Sequence, residues 1–127
     1  MLDRYPPHAM LAASDMDRAK AWYREKLGLV PTQEDPQGAW FEVAGTGFGL
    51  FPTPQAGTAK STVMRWSVDD IEAVVEHLRG RGVTFERFDA PGIEWEGDIA
   101  SMGGIRRVAW FKDSEGNTLA VSQRVGP

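Results

Sequence analysis

The chain contains no cysteine. That absence removes disulfides, thiolate nucleophiles and thiolate-ligated zinc together. Histidine is scarce as well, with only His8 and His77 in 127 residues. No apolar run approaches the roughly 20 residues needed to span a bilayer, and the opening "MLDRYPPHAM" lacks the basic-then-apolar order of a secretion signal. A cytoplasmic protein with no membrane partner is expected. Basic charge is not in surplus either: 14 Lys and Arg stand against 18 Asp and Glu, interspersed along the chain, so no basic stripe exists to hold phosphates. Nucleic acid is therefore not an expected partner. The serines lack a strained nucleophile elbow and a base partner, which argues against a serine hydrolase. "GTGFG" at 45–49 has no following helix to present its N-terminus to a phosphate.

What is present is an ordered series of short elements in one domain, 1–127. "HAMLAAS" has the composition of a short buried strand, and "DMDRAKAWYREKLGL" that of a helix. Asp15 or Ser14 can cap this helix. Ala19, Trp22, Tyr23 and Leu27 recur at spacings of three and four, and Gly28 follows as a stop. A turn-rich stretch, "VPTQEDPQG", precedes two strands, "AWFEVA" and "GFGLFP", joined across Gly45-Thr46-Gly47. Pro, Gly and small polar residues then mark a connector at 53–61. Beyond it the pattern restarts with a strand "TVMRWSV", a helix "DDIEAVVEHLRGRG" carrying Ile71, Val74, Val75 and Leu78 on one face, and a strand "VTFERF".

Two echoes point to an internal duplication. Asp15 to Gly28 and Asp69 to Gly82 are both 13-residue intervals, and "AWF" at 39–41 returns at 109–111. Each copy is one supersecondary unit that cannot bury its sheet alone. The expected modules are 8–52 and 62–124. The stretch "DAPGIEWEGDIASMGGI" at 89–105 is long and Gly-rich and is expected to be an irregular loop of the lid type. Its apolar points, Trp95 and Met102 among them, either close over a ligand or pack against a second subunit.

"HAMLAASDMDRAKAWYREKLGL" at 8–29, "SVDDIEAVVEHLRGRGV" at 67–83 and "AWFKDSEGNTLAVSQ" at 109–123 resemble the vicinal oxygen chelate superfamily, the glyoxalase, bleomycin-resistance and extradiol-dioxygenase group. The resemblance covers nearly the whole chain. It implies an α+β fold of paired βαβββ modules whose curled mixed sheets surround a cavity, commonly in a homodimer. Members that use a metal take one ligand from each of four inward positions. By spacing these correspond here to His8, Leu50 or its neighbour, Thr62 or Val63, and Ala120. Only His8 is a metal ligand by chemistry, and a transition metal needs three or four imidazole, carboxylate or thiolate donors. No metal and no other cofactor is therefore expected. The acidic cluster "EWEGD" at 94–98 has the character of a solvated, charge-rich loop.

Side chains two apart on a strand share a face, which yields an expected cavity lining. His8, Met10 and Ala12 share one face of the first strand. Val63, Arg65 and Ser67 oppose the helix-facing Met64, Trp66 and Val68, and Thr118, Ala120 and Ser122 oppose Leu119 and Val121. Phe48, Leu50 and Pro52 are expected as the wall from the first module. Arg65 must reach solvent, pair with a carboxylate or bind ligand, because burying a lone guanidinium is costly. His8 is either a hydrogen-bonded core or rim group or a ligand contact, while His77 is expected at the surface. Trp22 and Trp66 belong to helix-facing positions; Trp40, Trp95 and Trp110 remain for stacking on a flat ligand. The expected ligand-contacting set is His8, Met10, Trp40, Phe48, Leu50, Val63, Arg65, Ser67, Trp95, Met102, Trp110 and Ala120. Such a mixed lining suits a small organic molecule with an apolar body and a polar or anionic edge. The expected function is metal-free binding of a hydrophobic or aromatic compound, of the bleomycin-resistance type. The alternative is a glyoxalase, isomerase or dioxygenase-like enzyme with a non-standard or absent metal site, in which His8 would serve as general base.

Overall fold

Each of the two long helices starts where an aspartate closes the first turn. In the computed structural model, which describes residues 1–126, Asp15 caps α1 (Met16–Trp22) by accepting the Arg18 N–H at 3.0 Å. Asp70 caps α2 (Ile71–Gly80) in the same way, accepting the Ala73 N–H at 3.1 Å. Such a cap satisfies an otherwise unpaired amide and contributes about 1 kcal/mol. α1 runs on into a π-helical turn, Tyr23–Leu27, and stops at Gly28, whose φ of 71° is the left-handed conformation that ends helices without a Cβ penalty.

The first sheet consists of β1 (Ala9–Ala13), β2 (Gln33–Asp35), β3 (Gly38–Val43) and β4 (Thr46–Pro52), in the order β1-β4-β3-β2. β1 is parallel to β4 and the remaining pairs are antiparallel. β2 is a three-residue exposed edge strand in the stretch expected to be a loop. The β3–β4 turn is two residues long, Ala44 and Gly45, both with positive φ (49° and 83°). That conformation matches the twist of a tight hairpin. The second sheet repeats the arrangement, with β5 (Met64–Ser67) parallel to β10 (Thr118–Arg124), then β9 (Arg106–Lys112) and the short β6 (Phe85–Glu86).

Residues 89–105 depart from the lid expectation. They form a hairpin, β7 (Ile93–Glu96) and β8 (Ile99–Met102), in which β8 pairs with β9 and extends the second sheet to six strands. The turn passes through Gly97 at φ 64°. The alternation of Ile93 and Trp95 with Glu94 and Glu96 is a strand pattern; the surrounding glycines concealed it.

One apolar core joins both sheets on their helix-facing sides. Phe41 and Phe48 of the first sheet stack at 4.7 Å, and Phe48 meets Trp66 of the second sheet edge-on at 6.3 Å. Trp22 on α1 stacks on Phe111 of β9 at 6.3 Å. A polar clamp fastens the same junction. The turn between β9 and β10 sends a fully buried Glu115 carboxylate to the start of α1, where it accepts the N–H groups of Ser14 (2.9 Å) and Asp15 (3.0 Å) and the guanidinium of Arg18 (2.8 and 3.0 Å). Burial alone would raise this carboxyl, but the hydrogen bonds from Arg18, Asp15, Ser114 and Ser14 outweigh it and hold Glu115 at about 2. Beside it, Asp113 accepts from the Tyr23 hydroxyl at 2.7 Å and from Asn117 Nδ2 at 2.9 Å. Burial, followed by the Asp113 charge, pushes the Tyr23 phenol up. Among the described residues no buried side-chain nitrogen or oxygen is left without a partner.

Candidate functional site

The helix-facing sides are occupied by the core apart from an apolar pocket of about 270 Å³ bordered by Leu27, Val68, Val74 and Leu78, so polar chemistry can reside on the opposite, open faces of the two sheets. Strand register identifies them. In the first sheet Met10, Gly49, Trp40 and Gln33 form one cross-strand row. The glycines at 47 and 49 leave a flat bed: a Cβ at Gly49 would collide with the Met10 side chain, and one at Gly47 with the Trp40 ring and the Phe41 carbonyl. His8 meets Trp40 edge-on at 4.6 Å. Met10 is 58% exposed, and a pocket of about 210 Å³ lies against Met10, Trp40 and Gln33.

Phe48 and Leu50, expected on this wall, are on the other side. They are buried at 3% and 0% exposure among Leu11, Tyr23 and Phe41. Both faces of "TGFGLFP" offered apolar candidates, and the bulky Phe48 and Leu50 turn toward the core while Gly47, Gly49 and Phe51 take the open face. The exposed end of that strand, Pro52, shares the face of Phe48 and Leu50.

In the second sheet the open face carries the row Arg65, Ala120, Trp110 and Glu86, and beside it the row Ser67, Ser122, Val108, Ala100 and Trp95. Trp95 and Trp110 approach to 5.9 Å, and Phe88 packs on both at 5.9 and 4.7 Å. The Arg87 guanidinium covers Trp95 at 5.3 Å, and Trp110 Nε1 donates to Thr62 Oγ1 at 3.1 Å. Phe88 remains 46% exposed. A pocket of about 500 Å³ runs from Phe88 and Trp110 to Lys60 and Thr118. Arg65 is exposed and donates to Ser122 Oγ at 3.1 Å; it makes no ion pair among the described residues. Ala120 is buried at 2% beneath its larger neighbours, and Met102 lies exposed at the hairpin's far end.

The expected residues therefore fall into three groups. Met10 joins Trp40 on the first open face, and it joins Val63 in a small pocket of about 150 Å³ beneath the connector. Arg65 joins Ser67 at one end of the second open face, in a pocket of about 330 Å³. Trp95 joins Trp110 in the aromatic cluster. Phe88, Arg106 and Arg124 were not anticipated on this face. Parity offered the signal for the arginines, since a strand with Trp110 turned outward also turns Val108 and Arg106 outward.

The residues do not fit a transition metal of the kind the resemblance implies. Of the four corresponding positions, His8 is a single imidazole on the open face, Leu50 is in the core, and Ala120 carries no donor. Among the described residues no three His, Asp or Glu side chains converge on a common point. No helix is long and apolar enough to cross a membrane.

The family described as "Glyoxalase/Bleomycin resistance protein/Dioxygenase superfamily" matches residues 6–121. Among solved structures, a glyoxalase/bleomycin resistance protein from Catenulispora acidiphila is 26% identical, with a TM-score of 0.65 over 92% of this chain and 96% of that one. Lactoylglutathione lyase from Agrobacterium tumefaciens aligns with a TM-score of 0.69 at 18% identity, covering 93% and 95%. A genomically encoded fosfomycin resistance protein from Listeria monocytogenes aligns at 0.67 and 12% identity, covering 93% and 91%. No protein of curated function matches the chain by sequence.

Proposed function

The chain belongs to the glyoxalase/bleomycin resistance protein/dioxygenase superfamily, and from that premise we propose that it is a metal-free binding protein that encloses a small hydrophobic or aromatic molecule. The observation that carries this reading is the Phe88, Trp95 and Trp110 cluster: three rings on an open sheet face, one of them 46% exposed, beside a pocket of about 500 Å³. Flat apolar surface of this kind gains by stacking on a guest, and 300–1,000 Å³ is the usual size of such sites. The donor-poor composition of both faces supports binding over metal-assisted turnover. In this reading a second copy covers the exposed Met10 and Phe88, so that first and second open faces from different subunits close on the guest. Sequestration needs affinity alone, as in resistance proteins of the bleomycin type.

Two measurements test this. Protein purified without chelator, then incubated with nickel, zinc, manganese or iron, is expected to retain no stoichiometric ion. Phenylnaphthylamine, an uncharged flat aromatic, is expected to quench tryptophan fluorescence saturably, with about tenfold weaker binding in Trp110→Ala, the order expected for losing one stacking partner. A stoichiometric ion, or quenching that never saturates, would remove the reading. The enzyme alternative keeps one supporting feature, the solvent-facing His8 on Trp40; turnover of a candidate substrate that His8→Gln abolishes would favour it.

A further inference from the structure

The sign of the charge at one end of the second open face runs against that of the whole molecule. Net charge is -4, yet the pocket of about 330 Å³ there is lined by Arg65, Arg106 and Arg124, together with Ser67, Ser122 and Asp69. Three strands deliver these groups. Arg65 comes from β5, Ser122 and Arg124 from β10, and Arg106 from β9, where it stands directly opposite Arg124 in the ladder. The adjacent arginine on the other face is handled differently. Arg107, next in sequence to Arg106, is satisfied by Glu72 at 2.9 Å and Glu96 at 3.5 Å. Among the described residues neither Arg65 nor Arg106 has a carboxylate partner, and the one side-chain hydrogen bond of Arg65 goes to the Ser122 hydroxyl. Among the described residues Asp69 is the single acidic side chain in the lining.

From this we infer that the pocket is an oxyanion subsite, built to take a carboxylate, phosphate, phosphonate or sulfonate head group. Guanidinium groups present forked N–H donors that match two oxygens at once, and the Ser67 and Ser122 hydroxyls can each add one O–H donor. Arg65, Ala120 and Trp110 occupy one cross-strand row, so a guest anchored at Arg65 directs its body along that row, above the neighbours that cover Ala120, toward the Trp110, Trp95 and Phe88 rings. The preferred guest is then an amphipathic one, a flat apolar body ending in an anion. This rests on the binding reading above for the position of the body, whereas the anion pocket stands on its own residues.

The test separates the two. Inorganic phosphate is titrated into the isotopically labelled wild-type protein while the arginine Nε–H signals are followed by NMR. Separately, the affinities of anilinonaphthalene sulfonate and of phenylnaphthylamine, the same rings without the sulfonate, are compared at low and high salt. The inference expects phosphate to shift the Arg65 and Arg106 signals. It also expects the sulfonate to bind about tenfold more tightly at low salt, the gain of one charge-assisted contact, with this advantage shrinking as salt screens it. In the double variant Arg65→Gln, Arg106→Gln, checked for folding by circular dichroism, the advantage should vanish while phenylnaphthylamine binds as before. Arginine signals that respond to phosphate when neither ring compound binds would uphold the anion pocket and remove the aromatic reading. Equal affinities for the two compounds, with no arginine signal moved by phosphate, would overturn the inference and leave binding of uncharged guests intact.

Discussion

Replacing Glu115 by Gln isolates the clamp that joins the second sheet to the first helix. The wild-type carboxylate has no exposed surface, and its Oε1 accepts from the Ser14 and Asp15 amides and Arg18, its Oε2 from Arg18 and Ser114. Gln keeps one oxygen for the two amides but turns an NH2 group against the Arg18 Nε–H, a donor facing a donor. The fall of the carboxyl from the ordinary 4.5 to about 2 corresponds, at 1.36 kcal/mol per tenfold change in acidity, to about 3 kcal/mol. Arg18 is 53% exposed, so solvent already screens part of that attraction, and the charge left behind in the variant can hydrate. The expected loss at pH 7 is therefore about 2–3 kcal/mol, below the 3–5 typical of breaking a fully buried pair. The sign of the pH dependence follows from a folded-state value lying below the unfolded one. The contribution is complete above about pH 4.5 and disappears as the pH falls toward 2. Urea unfolding of both proteins between pH 7 and pH 2.5 measures it. The gap between wild type and Glu115→Gln should narrow steadily below pH 4.5, and a gap that stays constant, or is below about 0.5 kcal/mol at pH 7, would refute the clamp.

Other expectations follow from the strand faces. Phe48→Ala should cost about 3–5 kcal/mol in urea unfolding, as for a ring removed from a packed core, whereas Met10→Ala on the open face should cost under about 1 kcal/mol; comparable costs would mean that β1 and β4 are turned the other way. Amides of Ile99–Met102, held between β7 and β9, should exchange with deuterium far more slowly than those of the connector at 54–60; equally fast exchange would restore the lid.

Much of the architecture was legible in local patterns. The spacing of Ala19, Trp22, Tyr23 and Leu27 defined α1, the parity of Met64, Trp66, Leu119 and Val121 assigned the helix side of β5 and β10, and the repeated "AWF" marked β3 and β9. These worked because a period of 3.6 or 2 is a property of the chain itself. Residues 89–105 were harder. Glycine-rich composition resembles a loop, and only pairing of β8 with β9 makes the segment a strand.

The sequence by itself determined the α+β order, the two helices with Asp15 or Ser14 as the cap of the first, the family and the scarcity of histidine and cysteine; that Asp70 rather than Asp69 caps the second helix came from the structure. Only the tertiary structure decided which face of β4 turned inward, because a strand with apolar residues at both parities takes its orientation from the neighbour it pairs with. The same holds for the buried role of Glu115 and for the gathering of Arg65, Arg106 and Arg124. Arg106 and Arg124 stand 41 and 59 residues from Arg65, and Ser14, Asp15 and Arg18 about 100 from Glu115, and no local pattern encodes contacts that folding alone creates.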